Sequence, residues 1–410
     1  MRTVFVNHCH PATPHVCATR MREFAAALAA LGHEVVLLTE VLDGQTGSTD
    51  IGKKIRDHDF KQPLYVAIEP KRHPMIKRLR ERSLPAGLRQ AVVVWHYFKH
   101  KGVFTDWRTG SQSAVQEIAE HFKPDLVWAS FGNTDCWNIA RDLAKIAACP
   151  WVADLKDLWS NFIPAPFQKF LSRHFDDCAA LTTFSEFHSK DARRWFSAAP
   201  HVIYSGFPGD ALTRSPDLPS EKQRTICLTG AIYDQVALGN LMAGIRSWVL
   251  ELDEQTKADL HLVYAGHDCT EVEQAASMLA GLCKVDIKGY LPIEELREIQ
   301  QSAIANLYIK NDSTFHHKTI EMLSSGRPLI CYPAETEEAI EIAGTTNVPL
   351  HSCTSPGEIA TALQESLNFI AVEVMNDAGL QNFTWEVQVQ KLADLFQNVL
   401  DRTENKIHAQ

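Results

Sequence analysis

The apolar positions along the chain follow two alternating patterns. Residues 3–7 form a short continuous apolar run, which predicts a buried strand. Residues 18–31 place Met21 and Leu28 on one helical face, which predicts an amphipathic helix. The run EVVLLT at 34–39 predicts a second strand, so the chain opens with a complete β-α-β unit.

The same alternation continues to the end of the chain, with two polar interruptions. Residues 43–59 are predicted to be a polar connection, and residues 205–209 with the polar run 213–224 a linker between two halves. Further strands are predicted at 64–68, 124–130, 150–154, 180–184, 202–204, 224–229, 259–264, 284–288, 303–310 and 329–332, with helices between most of them. This order predicts two successive α/β domains, each a doubly wound parallel sheet.

The stretch at residues 313–330 carries the clearest candidate chemistry. A helix is predicted at 318–325, directly after a buried strand and its loop, and it begins at Lys318. A cation and backbone N–H groups at a helix start favour a phosphate group. Glu321 follows about one helical turn later, where its carboxylate could accept hydrogen bonds from a ribose. We therefore expect a nucleotide-diphosphate site here.

Other polar residues follow predicted strands of the first half, where open α/β sheets bind ligands. Asp154 and Asp157 lie at the end of strand 150–154 and could bind sugar hydroxyls or act as a base; the alternative is a helix cap with an ion pair to Lys156 or to an arginine. Arg20 begins the first helix and is a candidate ligand contact, or else a solvated surface residue. A Gly-x-Gly-x-x-Gly fingerprint does not follow the first strand of either half, which argues against a dehydrogenase.

Composition narrows the function classes. The 410 residues carry a formal charge of −10, so a general nucleic-acid binder is not expected. The ten cysteines show no CxxC spacing and are expected to be reduced, as in a cytoplasmic protein. His8-Cys9-His10 lie together, but a second ligand cluster is not close by in the sequence, so no metal site is expected. The first residues form a strand rather than a signal peptide, and apolar runs stay shorter than a spanning helix.

Residues 71–101 differ from the rest of the chain in charge. They hold nine lysines and arginines against one acid, Glu81, with apolar residues interleaved. Such a segment can lie on an anionic membrane surface or hold an anionic acceptor. The alternative is a solvated basic helix face. Peripheral contact with the inner face of a membrane is therefore a hypothesis.

Several segments, taken in order, carry a resemblance to a known family. They are ATRMREFAAALAALGHEVVLLT at 18–39, PWVADLKDLWS at 150–160, VIYSGFPGD at 202–210, LVYAGHD at 262–268, VDIKGYLPIEEL at 285–296 and FTWEVQVQKLADLF at 383–396. Their order and spacing resemble those of retaining glycosyltransferases of the GT-B fold, specifically the GT4 family. Residues 313–321 resemble its Glu-x7-Glu motif in the version that keeps Lys-x-x-Glu. Ser313 stands where the first glutamate would be, Thr314 and His316 replace two glycines, and Phe315 is kept.

The resemblance implies a GT-B fold and a hexosyl- or related transferase that uses a UDP- or GDP-sugar without metal or cofactor. It implies an acceptor-binding domain at 1–204, with helix 386–410 packing back on it, and a nucleotide-sugar domain at 205–385 across a cleft. Lys318, Asp157 and Asp154 are the implied catalytic residues. The implied donor-binding residues are Gly230, Gly266, Tyr290, Leu291, Ser313, Phe315, His316, Lys318, Thr319 and Glu321. The implied acceptor-binding residues are His10, Arg20, Asn133 and Asp154, with a glycan or lipid-linked glycan of polysaccharide synthesis as acceptor. Two alternatives remain: a nucleotide-sugar epimerase on the same fold, and a non-catalytic nucleotide- or glycan-binding protein.

Overall fold

The computed structural model describes residues 1–212, 224–311, 314–370, 374 and 377–408. The chain divides into two compact units. The first unit comprises Met1–Ser205 and Trp385–Gln410, and the second comprises Gly206–Thr384. Of the predicted linker, residues 213–223 lie outside the described residues. Residues 205–209 are described, and Arg224 begins the first strand of the second unit.

The first unit is built on a parallel sheet of seven strands within the described residues, in the order β3-β2-β1-β4-β5-β6-β7. The strands are β1 (Arg2–Val6), β2 (Glu34–Glu40), β3 (Leu64–Ile68), β4 (Leu126–Ser130), β5 (Trp151–Leu155), β6 (Ala180–Thr183) and β7 (Pro200–Val202). Its helices are α1 (Val16–Ala30), α2 (Ile51–Asp57), α3 (Pro74–Arg80), α4 (Ala86–His100), α5 (Asp106–Gly110), α6 (Gln112–His121), α7 (Thr134–Ala147), α8 (Trp159–Phe162), α9 (Ala165–Phe175) and α10 (Glu186–Ala192).

The second unit repeats this architecture with a parallel sheet of six strands within the described residues, in the order β10-β9-β8-β11-β12-β13. The strands are β8 (Arg224–Thr229), β9 (Leu260–Ala265), β10 (Lys284–Gly289), β11 (Ala305–Ile309), β12 (Leu329–Tyr332) and β13 (Leu350–Ser352). The helices are α11 (Gln235–Glu251), α12 (Glu254–Asp259), α13 (Cys269–Ala276), α14 (Ile293–Ser302), α15 (Lys318–Leu323), α16 (Glu337–Gly344), α17 (Pro356–Leu367) and α18 (Ala378–Gln381); short 3-10 turns span Gly209–Leu212 and Ser277–Leu279.

Helices cover both faces of the first sheet, as the apolar runs require. Val4 and Val6 of β1 point into one buried core, and Phe5 between them points into the other. The second core also receives the last helix, α19 (Trp385–His408), through Phe396, which meets Phe5 edge-to-face at 6.5 Å. A strand buried on both faces reads as a continuous apolar run, which is why β1 was recognisable in the sequence.

The structure corrects three predicted elements. The predicted polar connection at 43–59 contains α2, because Ile51 and Ile55 lie four residues apart and are both buried. The strand predicted at 202–204 lies two residues earlier, in β7. The helix predicted at 318–325 ends at Leu323, so α15 spans only six residues and is a weaker dipole than expected.

None of the helices in the described part of the chain carries an apolar stretch long enough to cross a membrane.

Candidate functional site

The second sheet has a topological switch point between its two central strands. From β8 the chain proceeds outward through β9 and β10, and from β11 it proceeds outward in the opposite direction through β12 and β13. Open α/β sheets bind ligands at the carboxyl ends of the two strands that flank such a point. Gly230 follows β8, and the loop that leads to Lys318 follows β11.

Lys318 directs its ammonium group to this switch point. Its Nζ donates to the carbonyl oxygen of Ile309 at 3.4 Å and lies 5.0 Å from the centre of the Tyr308 ring. A Cβ placed on Gly230 would stand 3.1 Å from the same Nζ, so Lys318 and Gly230 are neighbours. Burial lowers the pKa of Lys318, because the ammonium has lost much of its water. Among the described residues, the ammonium donates this one long hydrogen bond to Ile309, so it can bind an anion with little rearrangement.

Gly230 has a backbone that favours glycine. Its φ of +99° lies in the region that L side chains rarely adopt. Its N–H donates to Ala265 at 3.1 Å, and its carbonyl accepts from the Tyr264 hydroxyl at 3.0 Å. The turn after β8 is therefore fixed close to the Lys318 ammonium.

A buried hydrogen-bonded group supports the Lys318 loop. The Tyr308 hydroxyl donates to Glu335 at 2.6 Å and lies 3.1 Å from the Thr319 hydroxyl. Thr319 is fully buried and lies 3.3 Å from the same Glu335 carboxylate. Contact between Thr319 and a nucleotide-sugar donor remains a prediction, since in this structure its hydroxyl lies against Tyr308 and Glu335 in the protein interior. Phe315 is also buried, at 2% exposure.

Glu321 lies on the first turn of α15 and keeps 39% of its side chain exposed. Its Oε1 is 3.3 Å from Nε2 of His317. Burial opposes ionisation of this carboxyl, but His317 and Arg297 outweigh it and leave the pKa of Glu321 below its usual value. Glu321 is thus a carboxylate at neutral pH and can accept hydrogen bonds from hydroxyl groups.

Strand β9 lies beside β8, and β10 lies beside β9; a glycine turn and an aromatic pair follow the ends of these two strands. The Gly266 N–H donates to Gly289 at 3.0 Å, and a Cβ on Gly266 would overlap the hydroxyl of Tyr264. Tyr290 is 65% exposed, and its ring stacks on His267 at 4.9 Å. An exposed, stacked ring of this kind can receive a planar base.

The remaining predicted donor residues are placed less centrally. Leu291 follows Tyr290 and is half-buried, and His316 is half-buried in the loop before α15. Ser313 lies outside the described residues. Within the described part of the chain, the carboxyl edge of the second sheet therefore carries Gly230, Gly266, Tyr290, Leu291, Phe315, His316, Lys318, Thr319 and Glu321.

The first sheet has its own switch point, between β1 and β4. Asn133 follows β4 and caps α7, since its side-chain oxygen accepts from the Asp135 N–H at 2.9 Å. His10 follows β1, and its Nδ1 accepts from the Ala12 N–H at 3.1 Å. His10 and Asn133, two of the four predicted acceptor residues, are half-buried at this edge of the sheet.

Arg20 and Asp154 form a buried ion pair. Arg20 is 2% exposed, and its guanidinium donates to Asp154 at 3.0 Å and to the Ser205 hydroxyl at 3.1 Å. Asp154 is fully buried and also accepts from the Thr182 hydroxyl at 2.8 Å. The interpretation of Arg20 as a solvated surface residue is wrong. At Asp154 the geometry is that of the ion-pair alternative, and ligand contact by either residue stays a prediction.

Asp157 is more accessible than Asp154. Its side chain is 29% exposed and forms a close ion pair with the adjacent Lys156. Burial alone would lower the pKa of Lys156, but Cys17 and Asp157 outweigh it and raise that pKa. Of the two predicted acidic catalytic residues, Asp157 is therefore the one that solvent can reach.

Sequence reasoning missed Glu335. It considered Lys156 only as an ion-pair partner of Asp154 or Asp157, and His8 only within the run His8-Cys9-His10. His8 packs against Gly132, where a Cβ would overlap its ring, and its Nδ1 lies 3.7 Å from Cys136 Sγ. Burial and the nearby Lys156 lower the pKa of His8 to about 4, so its imidazole is neutral at pH 7. The sequence did contain one signal for His8, namely its position directly after the first apolar strand, where open α/β sheets bind ligands.

The sequence matches no protein-family model and no curated protein. Solved structures do match. A structure of HepE from Anabaena with UDP and glucose is 14% identical, covers 97% of this chain and 100% of its own, and has a TM-score of 0.58. A glycosyltransferase from Rickettsia africae is 12% identical, with 97% and 98% covered and a TM-score of 0.63. A protein assigned as a UDP-N-acetylglucosamine 2-epimerase from Listeria monocytogenes is 13% identical, with 98% and 97% covered and a TM-score of 0.57. At these identities the likeness shows the fold alone: two parallel-sheet α/β domains as in GT-B glycosyltransferases, which confirms the predicted fold class.

Proposed function

We propose that this chain is a glycosyltransferase that moves a sugar from a nucleotide-diphosphate sugar, UDP- or GDP-linked, to an acceptor. One observation carries the proposal: the Lys318 ammonium lies beside Gly230 at the switch point of the second sheet. A half-buried cation next to a glycine turn suits a diphosphate, since backbone and ammonium can approach the same anion. The fold shared with a protein solved with UDP and glucose supports the same site.

The roles of the donor residues follow from their positions. The Lys318 ammonium would bind the diphosphate and stabilise the charge that develops on it as the glycosidic bond breaks. Glu321 would accept hydrogen bonds from the ribose hydroxyls. Tyr290 would stack on the base, and Gly266 would let the chain pass close to it. Glu335 would hold Tyr308 and Thr319 by hydrogen bonds, and the Tyr308 ring would in turn position the Lys318 ammonium that lies over it.

The first unit is the proposed acceptor side. His10, Asn133 and Asp157 lie at the carboxyl edge of its sheet and present nitrogen and oxygen atoms suited to sugar hydroxyls. The GT4 resemblance implies retention of configuration without a metal ion. Internal return, in which the leaving phosphate deprotonates the acceptor hydroxyl, requires no protein nucleophile and therefore fits the residues present.

The proposed acceptor is a glycan or lipid-linked glycan. The basic segment at residues 71–101 supports this choice. Residues 71–101 form α3 and α4, and α4 exposes Trp95 at 59%, Phe98 at 55% and Leu88 at 51%. Apolar side chains that stand in solvent among lysines and arginines suit the interface of an anionic membrane. The enzyme would then meet a membrane-embedded acceptor from the side of its first unit.

The test is a donor screen followed by a transfer assay. Calorimetry against UDP, GDP and their sugars should identify one nucleotide that binds, and mass spectrometry with membrane extract should show its sugar transferred. Failure of every nucleoside diphosphate to bind would refute the proposal. Binding without turnover in any extract would favour the non-catalytic alternative.

An epimerase is the second candidate, because the same fold occurs in a protein assigned as an epimerase. The two are separated by one incubation. An epimerase converts the nucleotide sugar alone into its epimer, whereas a transferase leaves the sugar unchanged until an acceptor is added. Nuclear magnetic resonance of the sugar protons, with and without extract, distinguishes these results.

A further inference from the structure

The loop after β1 folds back onto the start of α1. The Asn7 side-chain amide donates to the carbonyl oxygen of Cys9 at 3.3 Å and to that of Cys17 at 3.2 Å. This clamp brings together residues that lie eight positions apart. As a result, one ligand atom each from Cys9, His15 and Cys17 lie within 4.8 Å of one another.

These three groups match the preferences of a soft divalent cation. Zinc binds cysteine sulfur at about 2.3 Å and histidine nitrogen at about 2.0–2.1 Å, usually in a tetrahedron, so its ligand atoms lie about 3.3–3.8 Å apart. Cys9 Sγ is 3.8 Å from His15 Nδ1, close to that spacing already. A small contraction of the loop would complete the arrangement.

His8 is the candidate fourth ligand, because it contacts one member of the cluster. His8 Nε2 is 3.3 Å from Cys9 Sγ, and an imidazole nitrogen in this position can bind a metal ion. His15 Nδ1 accepts from the Cys17 N–H at 3.2 Å, so a metal ion bound at Nδ1 would take the place of this helix-cap hydrogen bond.

Cys17 contributes the second sulfur of the cluster. It is 1% exposed and lies on the first turn of α1, so the helix holds its side chain in place. Binding of a metal ion to Cys9 and Cys17 would release their thiol protons to solvent. Asp157 already balances the charge of Lys156, which reduces repulsion of an incoming cation.

We propose that Cys9, His15 and Cys17, with His8 as the fourth ligand, form a zinc-type metal site that fixes the loop after β1. The exposed His15 provides the route by which the ion enters. In the sequence, no second ligand cluster lies close to His8-Cys9-His10. The folded loop brings His15 and Cys17 to Cys9. The proposal does not rest on the proposed transferase activity, because metal binding is measured without donor or acceptor.

The experiment uses the full chain, reduced and stripped of metal, titrated with Co²⁺ alone. One equivalent should give the sulfur-to-cobalt charge-transfer absorption of a tetrahedral thiolate site, and Zn²⁺ should abolish it. Cys9→Ser should reduce the absorption sharply, and His8→Ala should weaken Co²⁺ binding roughly 10–100-fold. Cys149→Ser, a half-buried cysteine elsewhere in the first unit, is the matched control and should bind Co²⁺ like the parent chain.

Circular dichroism establishes that each variant is folded before its titration is interpreted. Cys9 is only half-buried, so its serine variant is the main test, and the buried Cys17 is used second. The proposal is overturned if the parent chain gives no thiolate absorption with Co²⁺, or if Cys9→Ser binds as the parent does. It is also overturned if Cys149→Ser loses the absorption to the same extent. Isolation of a Cys9–Cys17 disulfide from a chain that binds no Co²⁺ after reduction would show a redox pair instead.

Discussion

Replacing Lys318 by methionine tests the donor site with the least disturbance of its surroundings. Methionine keeps an unbranched apolar stem over the Tyr308 ring and removes only the ammonium. We expect the variant to fold with a thermal midpoint close to that of the parent chain, because the lost hydrogen bond to Ile309 is long, at 3.4 Å.

The loss in nucleotide affinity can be estimated from the site. A hydrogen bond between charged groups contributes about 1.5–3 kcal/mol, which corresponds to roughly 10–150-fold in Kd. Because the ammonium is already partly desolvated, as its lowered pKa shows, the upper part of that range applies. We therefore expect UDP or GDP to bind roughly 30–100-fold more weakly to Lys318→Met.

The assay is isothermal titration calorimetry with the nucleotide that the donor screen identifies. Lys284→Met is the matched control, since Lys284 is exposed at the opposite end of the same sheet, where β10 begins. The control should bind like the parent chain. If Lys318→Met binds within twofold of the parent chain, the assignment of Lys318 to the diphosphate is wrong.

Three further predictions concern the first unit. Arg20→Ala should lower the free energy of unfolding by about 3–5 kcal/mol in urea titrations, because it leaves a buried carboxylate unpaired, whereas Arg22→Ala, on the surface, should change it by less than about 1 kcal/mol. Burial raises the pKa of Asp135 to about 7 from an ordinary 3.8, so the folded state holds its proton more tightly and stability should fall as pH rises from about 4 to about 7. Between pH 5 and pH 8, the free energy of unfolding should fall by about 2–3 kcal/mol less in Asp135→Asn than in the parent chain. Equal decreases in the two proteins would contradict the burial argument. Trp95→Glu should reduce co-flotation with anionic vesicles at low salt, while Tyr65→Glu, also exposed, should not; a parent chain that ignores such vesicles would remove the membrane hypothesis.

The fold could be predicted from the sequence because strands that are buried on both faces appear as continuous apolar runs. Val4, Phe5 and Val6 fill two cores at once and read as an apolar run. The same logic placed Gly230 and Lys318 at strand ends, and hence on one edge of a sheet. The short helix α2 escaped detection because only Ile51 and Ile55 mark it within a polar segment.

Side-chain pairing over long separations was not predictable from these patterns. Arg20 and Asp154 are 134 positions apart, and neither local context distinguishes an ion pair from a ligand contact. Glu335 supports the Lys318 loop from beyond the next strand, through Tyr308. Such contacts depend on which strands become neighbours, and the neighbours of β1 and β11 are set by the whole sheet.

We propose that a nucleoside diphosphate binds at the carboxyl edge of the second sheet. A crystal structure of the full chain with the UDP or GDP that the screen identifies would test this binding site. We expect a phosphate oxygen about 3 Å from Lys318 Nζ, with the ribose near Glu321 and the base near Tyr290. A nucleotide bound elsewhere, with Lys318 still on the Ile309 carbonyl, would contradict the proposal.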